Sequence, residues 1–453
     1  MELVAHARKK DSEVAVEEIS LQEKGISAWR EIVQPFDWIL HVSQEGDVEE
    51  LRVLHTVCRE EQKAFLPAIC HQRVGLAGPL VHPDSKGCWE SSWRRVHQTV
   101  FSKERQFPAN STIPGAMLAN IIVFEMFKEI TKTTESEQNN QFYLLDLDTM
   151  EGNWHSFSPH PLVEGRASTE WIRDLEFRIA RNQGVDESNR LLLYFSQLAS
   201  QESGIFHNWE EGDLKQLPLA QCRVQPVDLL SEGPAELLPE IVCSGLTHEE
   251  ARREAGLTGI EAYITPMVDR LITTLPPDEV KDSVQEFVGV GAGETVVEGI
   301  YRGLQRCLDE ELSKQRVNKR NIVTRLQLGT VEDERCQFYL EALTTMQGPP
   351  TIGIGEEVTG FPSVWVGTEE GWYSSVDLNT TRALRKALQQ ALIHAQNQET
   401  SLMPQTLEAN VLLEEKAPLS FDIPACDELT QPNYCNLLYK SWNGNASGSW
   451  SLI

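Results

Sequence analysis

The sequence predicts a mixed α/β (α+β) fold arranged as two successive domains, over residues 1–163 and 164–453. Three observations carry that expectation. Short apolar runs of strand character alternate with longer stretches of helical periodicity. The 453 residues exceed what one ordinary domain needs. The content, 40% hydrophobic and 24% charged, is an ordinary globular balance, which excludes disorder for most of the chain.

The first elements read as strand, helix, strand. A turn at Gln34-Pro35-Phe36-Asp37 precedes the apolar run Trp38-Ile39-Leu40-His41-Val42. From Val48 to Gln62, apolar residues fall at Val48, Leu51, Leu54, Val57 and Cys58, which is helical spacing. Ala64 to Cys70 is the next strand, so a right-handed parallel crossover is expected. Glu90 to Val96 looks helical. Pro114 to Ile130 reads as a helix opened by Pro114, with Leu118, Ile121, Ile122, Phe124 and Phe127 forming a broad apolar face. After a polar loop from Thr131 to Asn140, Phe142–Leu147 and Trp154–Phe157 are expected to be strands joined at Glu151-Gly152-Asn153.

The second domain begins near Glu164. Gly204-Ile205-Phe206 and Leu217–Val227 read as strands. A helix is expected from His248 to Ile264, capped by Thr247, carrying Glu249 and Glu250 in its first turn and interrupted or ended by Pro266. A second runs from Val296 to about Lys314, with Thr295 at the cap and Glu298 three residues on, as in a capping box. Aligning Thr247 with Thr295 puts Glu250 on Glu298, Ala251 on Gly299, Ala255 on Gly303 and Glu261 on Asp309, the pattern of an internal repeat. Gly360–Val366 and Trp372–Val376 give two strands. Thr380–Gln396 gives an amphipathic helix capped by Asn379 or Thr380. The pattern weakens from Glu399, and Asn443–Ser449 is small and polar.

Charge and cysteine content narrow the function classes. Forty basic against 68 acidic residues leave a net charge of −28, which argues against a nucleic-acid or anionic-membrane partner. None of the nine cysteines forms a C-x-x-C pair, so a thiolate zinc site is unsupported, and free thiols in a reducing cytoplasm are expected. The start has no signal-peptide pattern, and the apolar runs are too short to span a bilayer.

Two stretches carry a resemblance. Gly78-Pro79-Leu80-Val81-His82-Pro83, with Gly87-Cys88-Trp89-Glu90-Ser91-Ser92-Trp93-Arg94-Arg95, resembles the C-terminal half of ThiF-type (ubiquitin-activating-like) proteins from clusters that make thiazole- and oxazole-modified peptides. Gly245-Leu246-Thr247-His248-Glu249-Glu250-Ala251-Arg252, with Ile260-Glu261-Ala262-Tyr263 and the Thr295 helix, is similar to the YcaO-type cyclodehydratase core. Their order, with Gly360-Phe361-Pro362-Ser363 and Asn379-Thr380-Thr381-Arg382-Ala383-Leu384, resembles the ThiF-like thiazole-containing bacteriocin maturation proteins over most of residues 30–400. The implied fold is a partial Rossmann-like ThiF-type domain followed by a YcaO-like mixed α/β domain. Implied partners are a bacteriocin precursor peptide and a separate YcaO-type cyclodehydratase.

Departures from the catalytic pattern shape the expected role. No Gly-rich phosphate-binding turn precedes the first strand, so the first half of the nucleotide-binding fold and the usual N-terminal peptide-recognition unit are expected to be missing. A Mg-ATP site of the YcaO type needs carboxylates on one helix face. The first helix supplies Glu250, Glu254 and Glu261 with Thr258, but Ala262 stands where the family has arginine. The second supplies Glu298 and Asp309 with Arg302 and Arg306, which oppose a divalent cation and could pair with the first helix's glutamates as solvated or interfacial ion pairs. The resemblance therefore implies an accessory protein without cofactor that assists precursor delivery. The alternatives are an ATP-dependent cyclodehydratase using Glu250, Glu254, Glu261 and Glu298 on Mg-ATP, and a non-functional truncated fragment. Trp89 and Trp93, at i and i+4, read as core or as the wall of a peptide groove. Arg94 and Arg95 would lie on the opposite flank, as a solvated face or as contacts to acidic groups of a peptide.

Overall fold

In a computed structural model of the chain, residues 17–18, 26–43, 46–83, 87–101, 113–131, 140–164, 188–273, 287–318, 320–397, 411–414 and 418–426 are described. The polar loop expected after Thr131 and the tail 443–449 fall outside them, save Asn140 at the end of the loop. The chain divides into two compact units. One gathers Met1–Ser168, Ser196–Asn208 and Gln225–Pro239; the other gathers Thr169–Phe195, Trp209–Val224 and Glu240–Ile453.

The first unit is built on a five-stranded sheet. Its elements are α1 (Ile26–Val33), β1 (Trp38–Ser43), α2 (Val48–Glu60), β2 (Ala64–His71), β3 (Val74–Ala77), α3 (Trp89–Trp93), α4 (Ile113–Thr131), β4 (Gln141–Asp146) and β5 (Gly152–Ser156), with strand order β1-β2-β3-β4-β5. The expected crossover is present: β1 and β2 are parallel, with Trp38 opposite Ala64 and Ser43 opposite Ile69. Asp47 caps the crossover helix by accepting the Glu50 N–H. The remaining pairings are antiparallel. A two-residue link between β2 and β3 is too short for a parallel crossover, so the sheet turns back on itself.

Strand β2 is buried on both faces, and period-two alternation sends its side chains into two cores. Phe65 and Ile69 join Leu51, Leu54 and Val57 of α2; Leu66 and Ala68 meet Leu118, Ile122 and Met126 of α4. The expected apolar face of α4 needs one correction. Phe124 is 63% exposed, because six residues of helix after Leu118 place it almost opposite the buried stripe. The β4–β5 turn is also displaced. Gly152 lies in the strand, and the Asp146 carboxylate builds the turn by accepting the Asp148 and Thr149 N–H groups.

The second unit contributes α6 (Ser188–Leu198, after the short α5 at Pro161–Glu164), β6 (Phe206–Glu210), β7 (Ala220–Pro226), β8 (Ile241–Gly245), α7 (His248–Ile264), α8 (Val268–Thr273) and α9 (Val296–Asn318). After these come β9 (Asn321–Val331), α10 (Glu334–Gln347), β10 (Thr351–Ile354), β11 (Ser363–Thr368), β12 (Gly371–Val376), α11 (Thr380–Asn397), β13 (Val411–Leu413) and β14 (Leu419–Ile423). Elements α6, β6 and β7 straddle the boundaries of the units. The main sheet runs β12-β11-β10-β9-β13, with β14 also on β9. The three capped helices form as expected: α7 ends at Ile264, just before Pro266, α9 starts at Val296 after Thr295, and Asn379 caps α11 by accepting the Arg382 N–H. Alanine and leucine of α11 pack with Tyr339 and Leu343 of α10 and with Val364 and Val366 of β11. The eight described cysteines are free, and burial pushes the Cys222 and Cys243 thiols up to about 12. Among the described residues no helix is long and apolar enough to cross a membrane.

Candidate functional site

The four predicted carboxylates all lie on α7 and α9, and the two helices begin in the same way. At α7, Thr247 Oγ1 accepts the Glu250 N–H at 3.1 Å and Glu250 Oε2 accepts the Leu246 N–H at 3.0 Å. At α9, Thr295 Oγ1 accepts the Glu298 N–H at 3.1 Å and Glu298 Oε2 accepts the Glu294 N–H at 3.0 Å. These are reciprocal caps that satisfy donors otherwise orphaned at a helix start. In both, a glycine two residues before the threonine lies too close to the helix for a side chain: an added Cβ at Gly245 would fall 2.6 Å from Glu250 Cβ, and at Gly293 2.7 Å from Glu298 Cβ. The internal repeat read from the sequence is thus a repeat of local structure.

Arginines claim every one of the four carboxylates. Glu250 receives Arg335 at 2.9 and 3.2 Å, and Glu298 receives Arg253 at 2.8 Å. Glu254 and Glu261 share Arg302, whose three nitrogens are all engaged. Nη1 donates to both oxygens of Glu254 at 2.8 and 2.7 Å. Nη2 donates to Thr258 Oγ1 and to Glu261 Oε2, each at 3.1 Å, and Nε donates to Glu261 Oε1. Glu261 also accepts from Arg306 Nη2 at 3.1 Å and from the Ala292 N–H at 3.0 Å.

Burial decides what this arrangement can do. The Glu261 side chain is 2% exposed and that of Arg302 14%, so the pair is buried and not the solvated pair the sequence also allowed. Desolvation works to raise the Glu254 carboxyl, but Arg302 outweighs it and holds the group below its ordinary range. A magnesium ion needs several oxygen ligands in near-octahedral geometry. Here the carboxylate oxygens that face α9 accept a guanidinium, and Glu250 and Glu298 are held at the helix starts by other arginines. Among the described residues no group of three or more His, Cys, Asp or Glu is arranged to hold a metal ion. As paired here, these four carboxylates do not form a magnesium site.

A second polar cluster of α9, β12 and α11 went unread in the sequence. Asp377, fully buried, accepts from Tyr301 Oη at 2.7 Å and pairs with Lys386 Nζ at 3.1 Å. Arg382 and Lys386 both lie over the Tyr301 ring, at 4.9 and 5.2 Å from its centroid. Gln305 donates to Asp309 Oδ1 and to the Val376 carbonyl. The sequence singles out Asp309 on the face of α9 and Arg382 in the Asn379–Leu384 motif, but not Tyr301, Asp377 or Lys386.

The predicted peptide-contact residues sit in the first unit. Trp89 and Trp93 are 1% and 3% exposed and stack at 6.0 Å, so they are core. Arg95 is buried as well, donating to the carbonyls of Ser158 and Pro159, which corrects the reading of a solvated arginine pair. Arg94 donates to Glu90 at 2.8 Å and to the Ser231 carbonyl. The helix α3 is only five residues long, and four of them, Trp89, Ser91, Ser92 and Trp93, are buried.

No protein-family model matches the chain, and no curated protein matches it. Solved structures do. One is a heterocyclase in complex with substrate and cofactor, with a TM-score of 0.57 and 13% identity over 92% of this chain and 74% of that one. Another is the heterocyclase TruD, with a TM-score of 0.50 and 13% identity over 91% of this chain and 71% of that one. At such identity the likeness speaks of architecture alone: the chain has the mixed α/β fold of heterocyclases.

Proposed function

We propose that this chain is an accessory protein in the maturation of a thiazole- or oxazole-modified ribosomal peptide of the bacteriocin type. It assists delivery of the precursor peptide to a separate YcaO-type cyclodehydratase, in the cytoplasm. On this reading, residues 1–163 are the C-terminal half of a ThiF-type domain and 164–453 a YcaO-like domain. The motif resemblance and the heterocyclase-like fold support the pathway. Arg302 supports the role: a guanidinium fills the space between Glu254 and Glu261 where an ATP-using relative would need a metal. The chain then contributes binding and orientation, which raise the effective concentration of one reactant at another's active site.

Reconstitution tests this. Precursor, partner cyclodehydratase and ATP are incubated with and without this chain, and loss of water from the peptide is followed by mass spectrometry. The expected result is faster azoline formation when the chain is present and none when the chain replaces the partner. Azoline formed by the chain alone would restore Glu250, Glu254, Glu261 and Glu298 as metal-binding candidates.

A further inference from the structure

The two repeats differ in what lies beside the segment that leads into each helix. In the first, β8 runs into α7 and is paired along its length by β7, antiparallel, with Ala220 opposite Gly245 and Val224 opposite Ile241. In the second, residues 289–293 stand in the place of β8, forty-eight positions on. They hug α9 closely. An added Cβ at Gly289 would fall 2.0 Å from the Gly303 carbonyl oxygen and one at Gly291 would fall 2.1 Å from that of Gly299. Each two-residue step along the segment thus moves four residues along the helix. Two extended residues span about 6.6 Å and four helical residues about 6 Å, so the segment is extended and antiparallel to α9.

Among the described residues this strand-like segment has no strand partner. Among the described residues, no main-chain group of 287–293 bonds to another main-chain group. The Ala292 N–H goes to Glu261 and the Gly289 N–H to the Cys307 sulfur, while among the described residues Val288 and Val290 on one edge and Gly291 on the other have no acceptor. Such groups are obligatory hydrogen-bonding partners and form a template for an added strand. The glycines face the helix, so alternation leaves Val288, Val290 and Ala292 on the other side. The described strands β13 and β14, nearest in sequence to the tail, are both committed to β9.

We infer that residues 288–291, with the unbonded main-chain groups of Val288 and Val290 on one edge, are a docking edge for one extended peptide segment, which adds as an antiparallel strand as β7 adds to β8. The first repeat shows what fits this place: a single strand held by its main chain. Recognition of that kind tolerates many side chains. It suits a precursor whose successive Ser, Thr and Cys residues must all be presented. The inference rests on the peptide-modification reading above and names where the peptide lies.

Hydrogen exchange on the full chain tests it, with a synthetic peptide of repeating Thr-Ser-Thr-Cys, kept reduced, as the probe. The Val288 and Val290 amides, which alternation places on one edge, are expected to exchange at least tenfold more slowly at millimolar peptide. A peptide N-methylated at every residue is expected to give no slowing. A Val290→Pro variant, shown by circular dichroism to keep its helix content, is expected to lose the effect. Unchanged exchange, equal slowing by the N-methylated peptide, or slowing on raising protein concentration without peptide would each overturn the docking edge. None of these results alters the outcome of the reconstitution, so the two readings fail separately.

Discussion

Replacing Arg302 with methionine is expected to destabilise the second unit by about 3–5 kcal/mol, read as a lower urea midpoint. The cost comes from what the substitution leaves behind. Glu261 stays buried at 2% exposure with only Arg306 and one backbone N–H to compensate its charge. Glu254 adds little, because 42% of its side chain meets water. The same reasoning predicts a rescue. In an Arg302→Met, Glu261→Gln double variant the stranded charge is gone, and most of the lost stability is expected to return, since a neutral pair of similar volume replaces a buried ion pair with little net penalty. A single substitution costing under about 1 kcal/mol would mean that the pair is solvated, as an exposed ion pair is.

Trp89→Ala is expected to cost the first unit about 3–5 kcal/mol, the range for emptying a buried aromatic site. Trp89 packs on Trp93, and Trp93 meets Phe101 at 5.8 Å and His71 at 5.6 Å, so the void opens within a connected aromatic cluster. Gly233 closes over Trp93 from another segment of the same unit, at a positive φ of 90° where a Cβ would fall 2.6 Å from the indole. The cavity has little room to collapse. Were Trp89 a peptide contact, its removal would weaken peptide binding and leave the melting temperature unchanged. The expected result is the reverse.

Legibility in the sequence followed the strength of local physics. Helices α7 and α9 were readable to within a few residues because Thr247 and Thr295 cap them and the first-turn glutamates answer. The βα unit of β1, α2 and β2 was readable because each period is clean. Strand β9 and helix α10 escaped notice. In β9, polar Thr324, Arg325 and Gln327 interleave with Val323 and Leu326, so no simple alternation shows. Helix α10 buries only Cys336, Tyr339 and Leu343, a thin stripe on a polar helix. At the candidate site, the spacing of Glu254, Thr258 and Glu261 fixes one helix face, and Arg302 and Arg306 are one turn apart on another. Sequence thus allowed the pairing, but the degree of burial that makes it strong depends on how the helices pack. The Tyr301–Asp377–Lys386 cluster joins positions 76 and 9 residues apart, and no local pattern announces such a meeting.

On the proposed accessory role, Arg302 occupies the place a metal-bound nucleotide would need. Calorimetric titration of the full chain with Mg-ATP tests it most directly. No heat beyond dilution is expected up to millimolar nucleotide. Saturable binding at micromolar Mg-ATP, abolished by Glu261→Gln, would contradict it.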